Sequence, residues 1–138
     1  MALLTVNAAI AMRDAILTNS ALTALVGTRI YVQSDPPAGY RPTEDPAQPI
    51  LTGAAIVITH RGGSRDGGSG MLVQGSLYVR CYAVSELAAM ALDAVLAREL
   101  DGYQSATLRS LTQALTGQPS RDPAGWAMAY STWNYTST

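Results

Sequence analysis

Apolar and polar positions along the chain change period several times, and each change predicts an element. Val6, Ala9, Ile10, Ile16 and Leu17 recur at helical spacing, so Thr5 is expected to cap a helix that runs to about Thr18. Arg13 falls inside that apolar stripe; it either snorkels past the core edge or meets a partner. Ser20 is read as the cap of a second short helix, ALTALV, with Gly27 as its stop. Arg29–Gln33 is β-branched and aromatic and reads as a strand. Residues 34–49 hold five of the seven prolines, a density that neither a helix nor a central strand survives, so they are expected to form an extended loop.

The second half starts with two strong strands. Ile50–Arg61 is apolar on both faces, with Ile50, Ala54, Ile56 and Ile58 on one and Leu51, Ala55 and Val57 on the other, and Gly53 as a candidate bulge. Residues 61–70, RGGSRDGGSG, predict a hairpin loop. Met71–Ala83 alternates most clearly. Met71, Val73, Leu77, Val79, Cys81 and Ala83 face a core, and Leu72, Gln74, Ser76, Tyr78, Arg80 and Tyr82 look outward. At ~3.3 Å per residue such a strand reaches about 43 Å.

Ser85 then caps the longest helix, ELAAMALDAVLAREL, which ends at Asp101-Gly102. Ala88, Ala91, Leu92, Val95, Leu96 and Leu100 form its broad apolar face. Leu87, Met90 and Ala94 lie nearly opposite, so this helix is expected to be covered on two sides, by the chain's own loops or by another subunit. A weaker strand follows at Ala106–Leu115, then a turn-rich connection at 117–125, then an aromatic strand at Trp126–Thr136. The order ααβββαββ and its local hairpins predict one α+β domain over 1–138: a mainly antiparallel sheet of four to five strands, with two or three helices on one face.

Composition narrows the function. A chain of 138 residues buries a sufficient core without disulfide or metal, and its single cysteine, Cys81, excludes an internal disulfide. Net charge is −1 with only 14% charged residues, so the basic stripe of a nucleic-acid binder is missing. No apolar run reaches the ~20 residues of a membrane span. The start, MALLTVNAAIAMRDAIL, lacks a basic leader region and reads as the first helix of a cytoplasmic protein. Tyr and Trp carry all the aromatic area in the absence of Phe, and both are favoured at interfaces.

Catalytic chemistry finds little to hold. The glycine-rich stretch has no Lys after its last Gly and leads into a strand, so it is not a phosphate loop. His60 is the only histidine, and Cys81 sits on an apolar strand face where a thiol is inert. Glu86, Asp93, Glu99 and Asp101 read as solvated residues of the long helix and its end. No catalytic residue, metal site or cofactor is expected.

The stretch Ile16–Tyr31, ILTNSALTALVGTRIY, resembles the start of the tail-completion (tail terminator) proteins of long-tailed bacteriophages. The likeness continues through the Pro-rich loop, a strand, the glycine-rich gap, GSLYVRCYA at Gly75–Ala83, the helix after Ser85, and Arg121–Trp126 before the last strand. It implies an α+β sheet with helices on one side. It also implies a non-enzymatic virion protein, made in the host bacterial cytoplasm, that forms a hexameric ring on the head-proximal end of the tail tube. Its partners would be itself, the tail tube protein and the head connector, with no membrane and no sequence-specific nucleic acid, although DNA passes the ring lumen. A closed ring needs two different contact surfaces on one subunit. Tyr78, Arg80, Tyr82, Leu87 and Met90 are the candidates for subunit contact, and Tyr40, Arg41, Arg61, Arg65 and Asp66 for loop contacts to tube or connector. The alternatives are another neck component, such as a head–tail adaptor, or a small ligand-binding or enzymatic domain using His60.

Overall fold

The computed structural model describes residues 7–41, 53–65, 73–122 and 126–137. Three helices and five strands follow in the order expected: α1 (Asn7–Leu17), α2 (Ser20–Val26), β1 (Ile30–Val32), β2 (Ala55–Arg65), β3 (Val73–Tyr82), α3 (Glu86–Leu100), β4 (Leu108–Arg121) and β5 (Ala127–Ser137). The fold is α+β. The sheet order is β1-β2-β3-β5-β4. Three pairings are antiparallel, but β1 joins β2 in parallel, so the sheet is mixed.

All three helices lie against one face. There Ile56, Ile58, Leu77, Val79, Cys81, Trp133 and Tyr135 from the strands meet Ala8, Met12, Ile16, Leu22, Leu92, Leu96 and Leu100 from the helices. Trp133 keeps its indole N–H satisfied within this core by donating to Ser131 Oγ at 3.0 Å. The opposite face carries a smaller cluster, in which Tyr40 and Trp126 cover Ala55, Val57, Tyr82 and Met128. Burial of Ala55, Ile56, Val57 and Ile58 on both faces matches the two-sided apolar pattern of that strand.

The helix caps combine agreement and correction. Ser85 Oγ accepts from Ala88 N–H at 3.1 Å, as expected. Asn19, not Ser20, caps α2: its Oδ1 accepts from Leu22 N–H at 3.1 Å, and its amide donates to Glu99 on α3 at 3.2 Å. Gly27 ends α2 at φ +57, a left-handed value open to glycine. The predicted cap Thr5 and Val6 lie outside the described residues. On α1 the buried face is Ala8, Ala9, Met12, Ala15 and Ile16; Leu17 is exposed and Ile10 half-buried, a shift of the stripe by part of a turn. Arg13 stays at the rim and pairs with its neighbour Asp14.

Strand boundaries moved most. β2 continues to Arg65, so the predicted loop at 61–70 is partly strand. Gly53 precedes β2 at φ +87 and is no bulge; the irregularity falls between His60 and Gly62. β4 runs on through Gly117 and Pro119, which read as a turn in sequence. The sheet order explains this: β4 is an edge strand, and an edge tolerates a residue without an N–H and repeated register shifts.

Asp93 corrects another expectation. It is buried rather than solvated. Its carboxylate accepts from Gly117 N–H at 2.9 Å and from the Gln113 side-chain amide at 3.2 and 3.3 Å. Asp101 at the end of α3 accepts from Gln113 N–H at 2.9 Å. These bonds pin the irregular edge strand to α3. Gly117 is required there, because an added Cβ would lie 2.5 Å from Asp93 Oδ2. Gly117→Ala is therefore expected to displace the carboxylate and destabilise the chain by about 1–3 kcal/mol, and Asp93→Ala by a similar amount through two unpaired donors. Urea unfolding reads both; midpoints equal to wild type would show that this bond set does not hold the edge strand.

Candidate interaction surface

The helix-free face of the sheet divides into a covered end and an open end. At the covered end the loop after β1 returns across the sheet. Tyr40 is buried edge-on against Trp126 and Tyr82, at centroid distances of 5.4 and 6.3 Å, and its hydroxyl donates to Gly53 O at 2.5 Å. Burial raises the Tyr40 hydroxyl pKa well above its ordinary value. Two expected contact residues are thereby corrected. Tyr40 is a plug in this chain's own core, and Tyr82, expected to look outward, lies beneath it. Alternation along β3 placed Tyr82 on the correct face; the returning loop, which alternation cannot see, covers it.

At the open end lie three more of the expected residues, Tyr78, Arg80 and Arg61. Tyr78 packs against Tyr130 of β5 at 5.7 Å between centroids, and the Arg61 guanidinium sits 5.0 Å over the Tyr78 ring. Arg80 donates to Tyr82 Oη at 3.0 Å and pairs with Asp35 at 3.2 Å. Burial raises the Tyr78 hydroxyl pKa, and Arg80 opposes the shift. Sequence reading missed Tyr130, although alternation in Met128-Ala-Tyr-Ser-Thr132 would have aligned it with this face. Arg41 is exposed. The side chain of Arg65, and Asp66 altogether, lie outside what is described.

A second surface flanks the start of α3. Leu87 is 78% exposed, Val84 58%, Leu25 44% and Met90 38%. Leu25 and Val84 line an apolar groove of about 460 Å³ together with Ala54, Ala88, Ala91 and Val95, and Leu87 and Met90 stand outside it. Leu87 and Met90 thus sit on the expected second side of this helix and are exposed there among the described residues. The broad face predicted for α3 is narrower in fact: Leu92, Leu96 and Leu100 are buried with Ala89, whereas Ala91 is exposed and Ala88 and Val95 half-buried. Leu25 and Val84 were not singled out, since each stands beside a cap rather than within a periodic run.

His60 sits away from both surfaces. Its Nε2 lies 2.7 Å from Tyr135 Oη, although β3 separates their strands. The reach is possible because Tyr135 stands opposite Gly75, which puts no side chain in the way. The His60 backbone N–H donates to the Gln33 side chain. Among the described residues no three His, Cys, Asp or Glu side chains gather to hold a metal. Cys81 is fully buried, and burial, reinforced by the Asp93 carboxylate, pushes its thiol pKa far up. Such a thiol is a poor nucleophile. No described helix alone is long and apolar enough to cross a membrane.

No family model and no curated protein matches the chain. Among solved structures it is similar to a chain of the "Virion of native gene transfer agent (GTA) particle", with a TM-score of 0.59 over 91% of this chain and 90% of that one. The fold is shared over most of both chains. Identity is 16%, so the likeness establishes the fold and not the role.

Burial lowers the His60 pKa from its ordinary 6.5. Just below pH 6.5 the unfolded chain therefore binds more protons than the folded one. Stability is expected to be full above about pH 6.5, to fall as pH drops toward the folded pKa, and then to level off in this group's contribution. His60→Gln should flatten urea midpoints over that window; an unchanged slope would mean that His60 carries no part of it.

Proposed function

We propose that this chain is a structural, non-enzymatic virion protein that caps the head-proximal end of a phage tail tube as a hexameric ring, ends tube growth and presents the docking surface for the head connector. The observation that carries the reading is the fold shared over nearly the whole chain with a component of a virion-like particle. The tail-terminator pattern in the sequence supports the finer role. Its partners are further copies of itself, the tail tube protein and the connector, and its place is the tail neck.

The surfaces suit such work. A ring contact joins two different patches of one subunit. The apolar ridge of Leu87, Met90, Val84 and Leu25 and the Tyr78–Arg80–Tyr130 patch stand on different elements. Exposed Leu87 and Met90 gain by being covered, at about 25 cal/mol per Å² of apolar area. Tyr and Arg are the side chains most often central to protein interfaces.

Electron microscopy of particles made with this gene silenced tests the reading. Overlong or irregular tails beside unattached filled heads are expected. Normal-length tails beside unattached heads would make the chain an adaptor, and intact infectious particles would overturn the virion role. Changing Tyr78, Arg80, Leu87 and Met90 together is expected to give the same defect while the chain still folds. Normal tail completion by that variant would move the subunit contacts elsewhere.

A further inference from the structure

We propose that copies of this chain join edge to edge, the β4 edge of one copy adding to the β2 edge of the next, so that one sheet continues around the assembly. The proposal deepens the ring reading above and rests on it, and it names backbone pairing as the subunit contact.

The β2 edge is left open by the shortness of its neighbour. β1 pairs only Ile30–Val32 with Ile56–Ile58. Gln33 then turns away at φ +57; its N–H bonds Ile58 O at 2.9 Å and its side chain takes the His60 N–H. Beyond that point β2 runs on to Arg65, paired with β3 on one side and with no strand on the other among the described residues. In an antiparallel ladder the backbone groups of alternate residues point away from the partner strand, so this arm presents donors and acceptors outward. Natural edges are usually guarded by Pro, Lys or bulges. One irregularity falls between His60 and Gly62; beyond it Gly62–Arg65 keeps regular register with β3 and holds no Pro or Lys.

The β4 edge is guarded along most of its length. Register shifts fall between Leu108 and Ser110, Gln113 and Leu115, and Leu115 and Gln118, and Pro119 lacks an N–H. Two stretches keep unbroken register with β5, Ser110–Gln113 and Gln118–Arg121; the second contains Pro119 and lies level with the part of β2 that β1 already covers, which leaves Ser110–Gln113. That stretch is level with the open part of β2. One row across the sheet runs Gly62–Ser76–Asn134–Thr112, and another runs Ser64–Gln74–Thr136–Ser110. A closed ring turns from copy to copy without rise. With strands running near the ring axis, rows that are level within one copy therefore meet at the junction.

Strand direction also fits. β2 is antiparallel to β3, β3 to β5 and β5 to β4, so β4 runs opposite to β2. Copies related by the ring axis keep that relation, and the junction becomes an antiparallel pair, the more stable kind. The face beside the junction is polar: Gln74, Ser76, Ser110, Thr112, Asn134 and Thr136 line a shallow groove of about 500 Å³. Such a face favours joining through the backbone over burial of side chains. The occupant is a second copy because both halves of the junction, an open arm and a regular, proline-free stretch at the same level, lie on this chain.

Cysteine cross-linking tests the proposal. In a Cys81→Ala background, Ser64→Cys is combined with Ser110→Cys, or with Thr112→Cys, and the purified chain is oxidised at rising concentration to about 1 mM, which populates even weak contacts. A ladder of covalent multimers is expected from at least one double variant, a single dimer band from mixed single variants, and monomer from each single variant alone. A monomer throughout, or multimers in solution that neither pair links, overturns the edge pairing. A chain that microscopy places at the tail end but that never links loses the edge contact and keeps the ring reading. A chain that links in solution while silencing leaves particles intact does the reverse.

Discussion

The unbroken register between β3 and β5 is the constraint on which the other elements depend. It runs from Val73 opposite Ser137 to Tyr82 opposite Met128 without a shift. A slip by one residue would turn every side chain of a strand to the other face. Here it would bring Tyr78, Arg80, Tyr130 and Thr132 under the helices and lift Val79, Cys81 and Trp133 into solvent. The register therefore decides at once where α1 and α3 pack and which residues remain for contact. It also allows the reach from Tyr135 to His60, because Gly75 rather than a bulky residue stands opposite Tyr135.

The parallel pairing of β1 with β2 is the second determinant, and it explains the proline-rich segment. A parallel pair needs a long crossover, usually a helix. Residues 33–41 of this chain's crossover plant Tyr40 on the helix-free face. Arg29 secures the return. Its Nε donates to Ala54 O at 2.8 Å, and its guanidinium lies 3.0 Å from where a Cβ on Gly53 would stand. Tyr40 holds Gly53 O from the other direction. The segment thus acts as a lid over one end of the sheet, leaving the other end open to Tyr78 and Tyr130.

Much of this was legible in sequence, where a local rule governed the outcome. Alternation gave the core side of β3, the Ser85 cap gave the start of α3, and Gly27 gave the stop of α2. What failed was decided by partners distant in sequence. Tyr82 reads as a subunit contact and Tyr40 as a loop contact because their mutual cover depends on a crossover that no local pattern encodes. Asp93 read as solvated because its donors, Gly117 N–H and the Gln113 amide, arrive from a strand 20 or more positions later. β4 was cut short at its Gly and Pro because only the sheet order shows it to be an edge. Of the candidate contact residues, Leu87 and Met90 are exposed on α3. Their neighbours Leu25 and Val84 had no periodic run to mark them.

A sheet with helices on one side solves only half of its burial problem. One face and two edges remain, and a chain of 138 residues has limited means of covering them. This one spends its crossover on a single end of the open face. At the other end it keeps polar side chains, so exposure there costs little. Along β4 it uses bulges and Pro119 to discourage pairing, yet it leaves Ser110–Gln113 regular and level with the regular Gly62–Arg65 end of β2. Guarding most of one edge while sparing a matching stretch of it restricts pairing to one register. Under the ring reading, that restriction would separate a closed assembly from open-ended aggregation.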